Sequence, residues 1–160
     1  MTAPTDVEAL VGVAVYISAT LPDTYDAAGY QSTDIVWTEV TEVESIAPNG
    51  GTKQINTFTP VKTGTVKKRG GSTDYGNLSL VLGKVTTDPG QILLRTAFNA
   101  GNIHYSMKVV YDDGAAATDE MHFYDVIVTT FEDQNGDANT IRKVNVTAAI
   151  CLEPVVVDPT

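Results

Sequence analysis

Four stretches of this sequence alternate apolar and polar residues with a period of two, and that alternation most limits the fold. Val11, Val13, Val15 and Ile17 are interleaved with Gly12, Ala14, Tyr16 and Ser18. Leu78, Leu80 and Leu82 alternate with Asn77 and Ser79, and Ile103, Tyr105, Met107, Val109 and Tyr111 with His104, Ser106 and Lys108. Val144, Val146, Ala148, Ile150 and Leu152 oppose Lys143, Asn145 and Thr147. Successive side chains of a strand point to opposite sides, so each stretch offers one apolar face and one wetter face. The predicted fold class is mainly β, an antiparallel β-sandwich or partial barrel.

Two further stretches read as strands less cleanly. Ile35–Val43 mixes Val36, Val40 and Val43 with Glu39 and Glu42, and Met121–Phe131 is apolar on both faces. A strand apolar on both faces needs a second cover, for which a subunit interface is the natural candidate.

One packed helix is predicted over about 89–100. Asp88 is a good N-cap, Pro89 suits the first helical position, and Gln91 stands where a capping box requires it. Leu93, Leu94, Ala97, Phe98 and Ala100 supply its apolar face, and Gly101 closes it. Asp112–Asp113–Gly114 and Asn135–Gly136–Asp137 mark hairpin turns. With 160 residues the chain fits a single domain. An N-terminal arm at 1–9 and a C-terminal arm at 153–160, leaving the domain, complete its organisation.

The segment 45–73 breaks the pattern. It holds no acidic residue, yet it carries Lys53, Lys62, Lys67, Lys68 and Arg69, five of the ten basic residues of a chain with net charge −10. Gly50, Gly51, Gly64, Gly70, Gly71, Pro48 and Pro60 surround short β-like pieces at Gln54–Thr59 and Thr63–Lys68. A connection of this length reads as a long extended loop with a function. With few apolar anchors (Ile55, Phe58, Val61, Val66) it is expected to be mobile alone and to order against a partner. Opposite potentials steer and register encounters, and the obvious acidic surface is another copy of the chain.

Other chemistry is weakly signalled. Excess negative charge argues against ordinary nucleic-acid binding. No apolar run approaches the ~20 residues of a membrane span. Ala9–Ala19 lacks the basic n-region of a signal peptide, since Asp6 and Glu8 precede it and the first basic residue is Lys53. Cys151, the single cysteine, reads as a small buried hydrophobe. Asp133, Asn135, Asp137 and Asn139 alternate like a calcium loop, but Ala138 and Val144 occupy the positions that need glycine and glutamate. His104 and His122 lack zinc-ligand spacing, there is no G-x-S-x-G elbow, and no acid pair is singled out for glycoside hydrolysis. No enzymatic activity and no cofactor are expected.

YISATLPDTYDAAGY (16–30), IVWTEVTEVESI (35–46), the TFTPVKTGTVKKRGGSTDYGNLSLVL core within 56–82 and the capped helix DPGQILLRTAFNAG resemble the major tail tube proteins of long non-contractile phage tails. The resemblance covers about residues 10–157, and its most specific part is the basic loop leading into DYG. It implies hexameric rings stacked into a tube, with the inner sheets joined into one barrel around a lumen. The lumen would hold a tape measure protein during assembly and later pass double-stranded DNA without specific binding. Tail terminator and tail tip proteins would be further partners, and the protein would reside in the virion after synthesis and assembly in the host cytoplasm. Carried onto this chain, Lys53, Lys62, Lys67, Lys68 and Arg69 would make inter-ring contacts, with Phe58 as an apolar anchor. A secretion-system tube protein and a monomeric β-sandwich binding or decoration module are the alternatives; a hydrolase is a distant third.

Overall fold

The computed structural model describes residues 10–47, 49–112 and 118–160. The expected arm at 1–9 and the Asp113–Gly114 part of one expected turn lie outside them. The elements follow in the order β1 (Ala14–Ser18), α1 (Ala27–Tyr30), β2 (Thr38–Val40), β3 (Val43–Ile46), β4 (Thr52–Phe58), β5 (Lys67–Asp74), β6 (Asn77–Gly83), α2 (Pro89–Asn99), β7 (Tyr105–Tyr111), β8 (Glu120–Gln134), β9 (Lys143–Ile150) and β10 (Val155–Val157). Seven strands form one path, β2-β1-β7-β8-β9-β6-β3, with every neighbouring pair antiparallel. β4 and β5 form a separate two-stranded ribbon.

The ends of that path are joined by a very short piece of chain. β2 is one edge and β3 the other, yet only Thr41 and Glu42 separate them. A flat sheet of seven strands would hold its edges about 29 Å apart, whereas the step from Val40 to Val43 spans at most about 11 Å. The sheet must therefore curl into a partial barrel, although no ladder closes it. The single strand expected over Ile35–Val43 is corrected accordingly: Ile35–Trp37 lie outside the strands, and the rest is broken at Glu42, whose φ of 57° turns the chain from one edge to the other.

Inside the curl lie the alternating apolar residues. Val15, Ile17, Leu78, Leu82, Met107, Val109, Val126 and Val144 are completely buried. Each such side chain contributes about 1.5–3 kcal/mol. The alternation in sequence runs past the strand ends, for Val11, Ile103 and Leu152 lie outside the strands and are exposed.

The second apolar face of β8 is covered by the chain itself. Phe123 stacks on Tyr30 with ring centroids 5.1 Å apart, and Ile35, Trp37, Met121, Val155 and Val157 complete this smaller cluster. Asp26 caps α1 by accepting a 2.8 Å bond from the Gly29 amide, which fixes Tyr30 above Phe123. At the other end of the chain, Val155–Val157 pair with Met121–Phe123 of β8, along the edge that β9 has left. The segment expected as a departing C-terminal arm thus places a strand on its own domain. The second cover of β8, for which a subunit interface is the natural candidate from sequence, is here supplied by the chain itself.

Helix α2 is capped as its sequence predicts, with Asp88 Oδ2 accepting from the Gln91 amide at 3.0 Å. The return half of the capping box is absent. The Gln91 side chain instead donates to the carbonyls of Gly83 and Thr41 at 2.8 and 3.3 Å and accepts from the Val85 amide at 3.0 Å. Asp88 also accepts from the Thr41 amide at 3.3 Å, so α2 is bolted to the corner between β2 and β3. Leu94 and Ala97 face the core, while Phe98 and Ala100, expected on the same face, are exposed. No helix among the described residues is long and apolar enough to cross a membrane.

Candidate functional site

The basic segment forms an antiparallel hairpin. Thr52, Ile55, Thr57 and Phe58 give β4 its strand character, Pro60 ends it, and the Gly64 amide donates to the Pro60 carbonyl at 2.9 Å in the tip. Gly64 has φ of +64°, which an L side chain rarely adopts. The second β-like piece, expected at Thr63–Lys68, is displaced: Thr63–Val66 belong to the tip and β5 begins at Lys67. Gly70 and Gly71 do not break β5, because cross-strand side chains fold over them. A Cβ at Gly70 would lie 3.1 Å from Lys53 Cδ, and one at Gly71 would lie 3.1 Å from Asn56 Nδ2.

Pairing of Ile55 with Gly70, Asn56 with Arg69, Thr57 with Lys68 and Phe58 with Lys67 sorts the side chains by face. Phe58, Lys67 and Arg69 share one face with Asn56. Lys68 lies on the other with Ile55, and Lys53 stretches across Gly70 beside them. Lys62 is in the tip. The structure therefore does not gather the six predicted residues into one patch; it distributes them over two faces and an end.

Every residue of both strands is exposed, including Phe58 at 67%, and Val61 in the tip is fully exposed. Among the described residues none of the five basic side chains forms an ion pair. An isolated two-stranded ribbon is marginal in water, and this one gains nothing from the main core. Unneutralised cations beside exposed apolar groups suit docking on an acidic, partly apolar surface.

Sequence reading passed over several polar groups. Asp125, only 2% exposed, holds His104 Nδ1 at 3.0 Å from both carboxylate oxygens. Lys108 lies over the rings of Tyr16 and Trp37, 4.5 and 4.9 Å from their centroids, and burial pushes its pKa down. Tyr124 accepts from Asn49 Nδ2 at 2.9 Å, and burial pushes its pKa up to about 12. His122 is held by Glu120 and the Tyr124 hydroxyl. An aspartate in the middle of the apolar run FYDVIV was the one signal available. Cys151, expected to be buried, is exposed just beyond β9, and partial desolvation of its thiol together with the charge of Asp125 raises its pKa. Among the described residues no three His, Cys, Asp or Glu side chains are grouped to hold a metal ion.

No protein-family model and no curated protein matches the sequence. Solved structures do match by fold. The tube-terminating cap of the anti-feeding prophage is similar with a TM-score of 0.69 at 13% identity, over 99% of this chain and 95% of that one. The SPP1 tail tube gives 0.61 at 9% identity, over 90% and 75% of the two chains. The tail of an empty GTA particle, computed with helical refinement and C6 symmetry, gives 0.57 at 12% identity over 88% and 92%. At such identities the likeness concerns architecture, and this chain has the fold of tail-tube and tube-capping proteins.

Proposed function

We propose that the protein is a structural virion subunit that self-assembles into stacked hexameric rings, forming a phage tail tube through which DNA is delivered. The observation that carries this reading is a projecting hairpin, basic and partly apolar, on an otherwise acidic domain of tail-tube fold. A chain bearing both partners of an electrostatic pair at separate places can make heterologous contacts, which between stacked rings propagate along the tube axis. Rings that join sheet edges would also cover β2 and β3, which otherwise offer unpaired backbone groups. An acidic wall suits a conduit, since like charge keeps a phosphate backbone moving. Lys53, Phe58, Lys62, Lys67, Lys68 and Arg69 make the ring-to-ring contacts in this reading. Tape measure, terminator and tip proteins are its partners, and no catalytic step is required of it.

Likeness to the prophage cap favours one second reading, a ring that terminates a tube. Negative-stain images of concentrated protein, with sedimentation, decide between them. Tubes of stacked rings are expected; single rings that never stack identify a terminator, and monodisperse monomers overturn both.

A further inference from the structure

We infer that the β4–β5 hairpin of one copy docks in a groove at the opposite end of the next copy, lined by Glu42, Val43, Glu44, Gly83, Ile141 and Lys143. This assignment rests on the tail-tube reading and names the receiving surface for it. The hairpin leaves the sheet between the end of β3 at Ile46 and the start of β6 at Asn77. The groove is built where β3 begins and β6 ends, at Val43 and Gly83. The length of β6 separates the two, about 20 Å along the strand. Donor and acceptor thus sit at opposite poles of the domain, as head-to-tail stacking requires.

The groove matches the hairpin in chemistry. Ile141 is 74% exposed beside Val43, offering an apolar floor for an exposed aromatic ring. Glu44 already shares its charge with Lys143 at 2.7 Å, whereas Glu42 forms no ion pair among the described residues. Phe58 would enter over Val43 and Ile141, and Lys67 and Arg69, on the same hairpin face, would meet Glu42.

Backbone strain points to the same residue. Glu42 is the one non-glycine residue with positive φ among those described. Its carbonyl accepts from the Gly83 amide at 2.8 Å, so the corner cannot relax without losing that bond. Glycine or asparagine would occupy this conformation more cheaply. A glutamate held there against its own preference is consistent with a role for its carboxylate, and among the described residues no ion pair engages it.

Charge exchange with assembly as the readout tests the assignment. Glu42→Lys alone, and Lys67→Glu with Arg69→Glu, are each expected to lower the assembled fraction about tenfold or more, and combining all three is expected to restore it. Glu42→Gly relieves the strained corner while deleting the carboxylate, so its melting temperature should hold or rise while assembly falls. In a Cys151→Ser background, Phe58→Cys with Ile141→Cys should give a ladder of disulfide-linked oligomers on oxidation. Tubes that form normally with Glu42→Lys or Glu42→Gly, or that give no cross-link, overturn the groove assignment and leave the tail-tube reading standing. Wild-type protein that forms neither rings nor tubes removes the reading and the assignment together.

Discussion

Phe58 stands directly opposite Lys67 across the β4–β5 hairpin, with Arg69 on the same face and both strands exposed along their length. An aromatic side chain flanked by two cations, held by a ribbon outside the main core, contributes little to the fold that carries it. In the proposed tube, the acidic remainder of a neighbouring copy would supply the matching charge and the surface that buries this ring.

Replacing Lys67, Lys68 and Arg69 together by glutamate should leave the domain folded and abolish stacking. All three are exposed and form no ion pair among the described residues, so the stability change should stay within about 0.5 kcal/mol for each substitution. Thermal melts should nearly overlay, while sedimentation shows loss of the polymer. An unchanged polymer yield would remove electrostatic docking as the hairpin's role.

Hydrogen exchange should separate the hairpin from the sheet. In the unassembled protein the amides of Thr52–Phe58 and Lys67–Asp74 should exchange far faster than those of β6 and β9, because their ladder is two-stranded and its faces are wet. In the assembled protein the same amides should slow. Equal protection in both states would show that the hairpin meets no second copy.

Gly90→Ala should be far more damaging than an ordinary glycine substitution near the start of a helix. A Cβ there would lie 2.2 Å from the Glu39 carbonyl oxygen and 2.6 Å from Val40 Cα, both rigid backbone atoms of β2. Separating α2 from β2 would also strain the Asp88 and Gln91 bonds to Thr41. A loss of about 3 kcal/mol or more is expected by denaturant titration.

Much of this fold could be read from the sequence where period two met simple burial. Leu78, Leu80 and Leu82, and Val144, Val146 and Ala148, lie where alternation placed them, and Asp88–Pro89 marked the start of α2. The corner at Glu42 could not be read that way, since a positive φ at glutamate contradicts local preference and goes with the curl that brings the edges β2 and β3 together. Nor could the cover over Phe123, which joins Tyr30, Trp37 and Val155 from distant parts of the chain. The basic segment announced itself by charge alone. That Phe58 and Asn56 share a face with Lys67 and Arg69, leaving Ile55 with Lys68, depends on the register of β4 against β5, which composition does not encode.

Gln91→Ala should cost about 2–3 kcal/mol, more than its place in a helix suggests. The side chain is 3% exposed and satisfies the Val85 amide and the Gly83 and Thr41 carbonyls. Alanine removes the partner of the half-buried Val85 amide and Gly83 carbonyl, and that of the more exposed Thr41 carbonyl. Gln91→Glu should retain the bond from Val85 but turn the two donated bonds into carboxylate–carbonyl repulsion. It should therefore be no more stable than the alanine variant, as a paired denaturant titration would show.

Alkaline pH should destabilise the domain through its buried tyrosines. Tyr124 is 2% exposed and its pKa is pushed up to about 12 from an ordinary 10.0, chiefly by burial; burial raises Tyr30 in the same direction. The folded state keeps a proton that the unfolded chain releases above pH 10, so the stabilisation is whole below that value and is lost as pH rises towards 12. For Tyr124 the shift corresponds to about 2–3 kcal/mol. Lys108 opposes this trend, because burial lowers its pKa and folding then becomes easier as the unfolded lysine loses its proton. Tyr25 and Tyr111 are raised as well, so among the described residues four raised tyrosines against one lowered lysine leave the net slope downward. Tyr124→Phe loses the bond from Asn49 and should be less stable at neutral pH, yet its stability should fall less steeply between pH 10 and 12. Denaturant midpoints across that range, with tyrosinate absorbance followed in parallel, check the sign, and an identical slope in the variant would show that the Tyr124 hydroxyl titrates as if free.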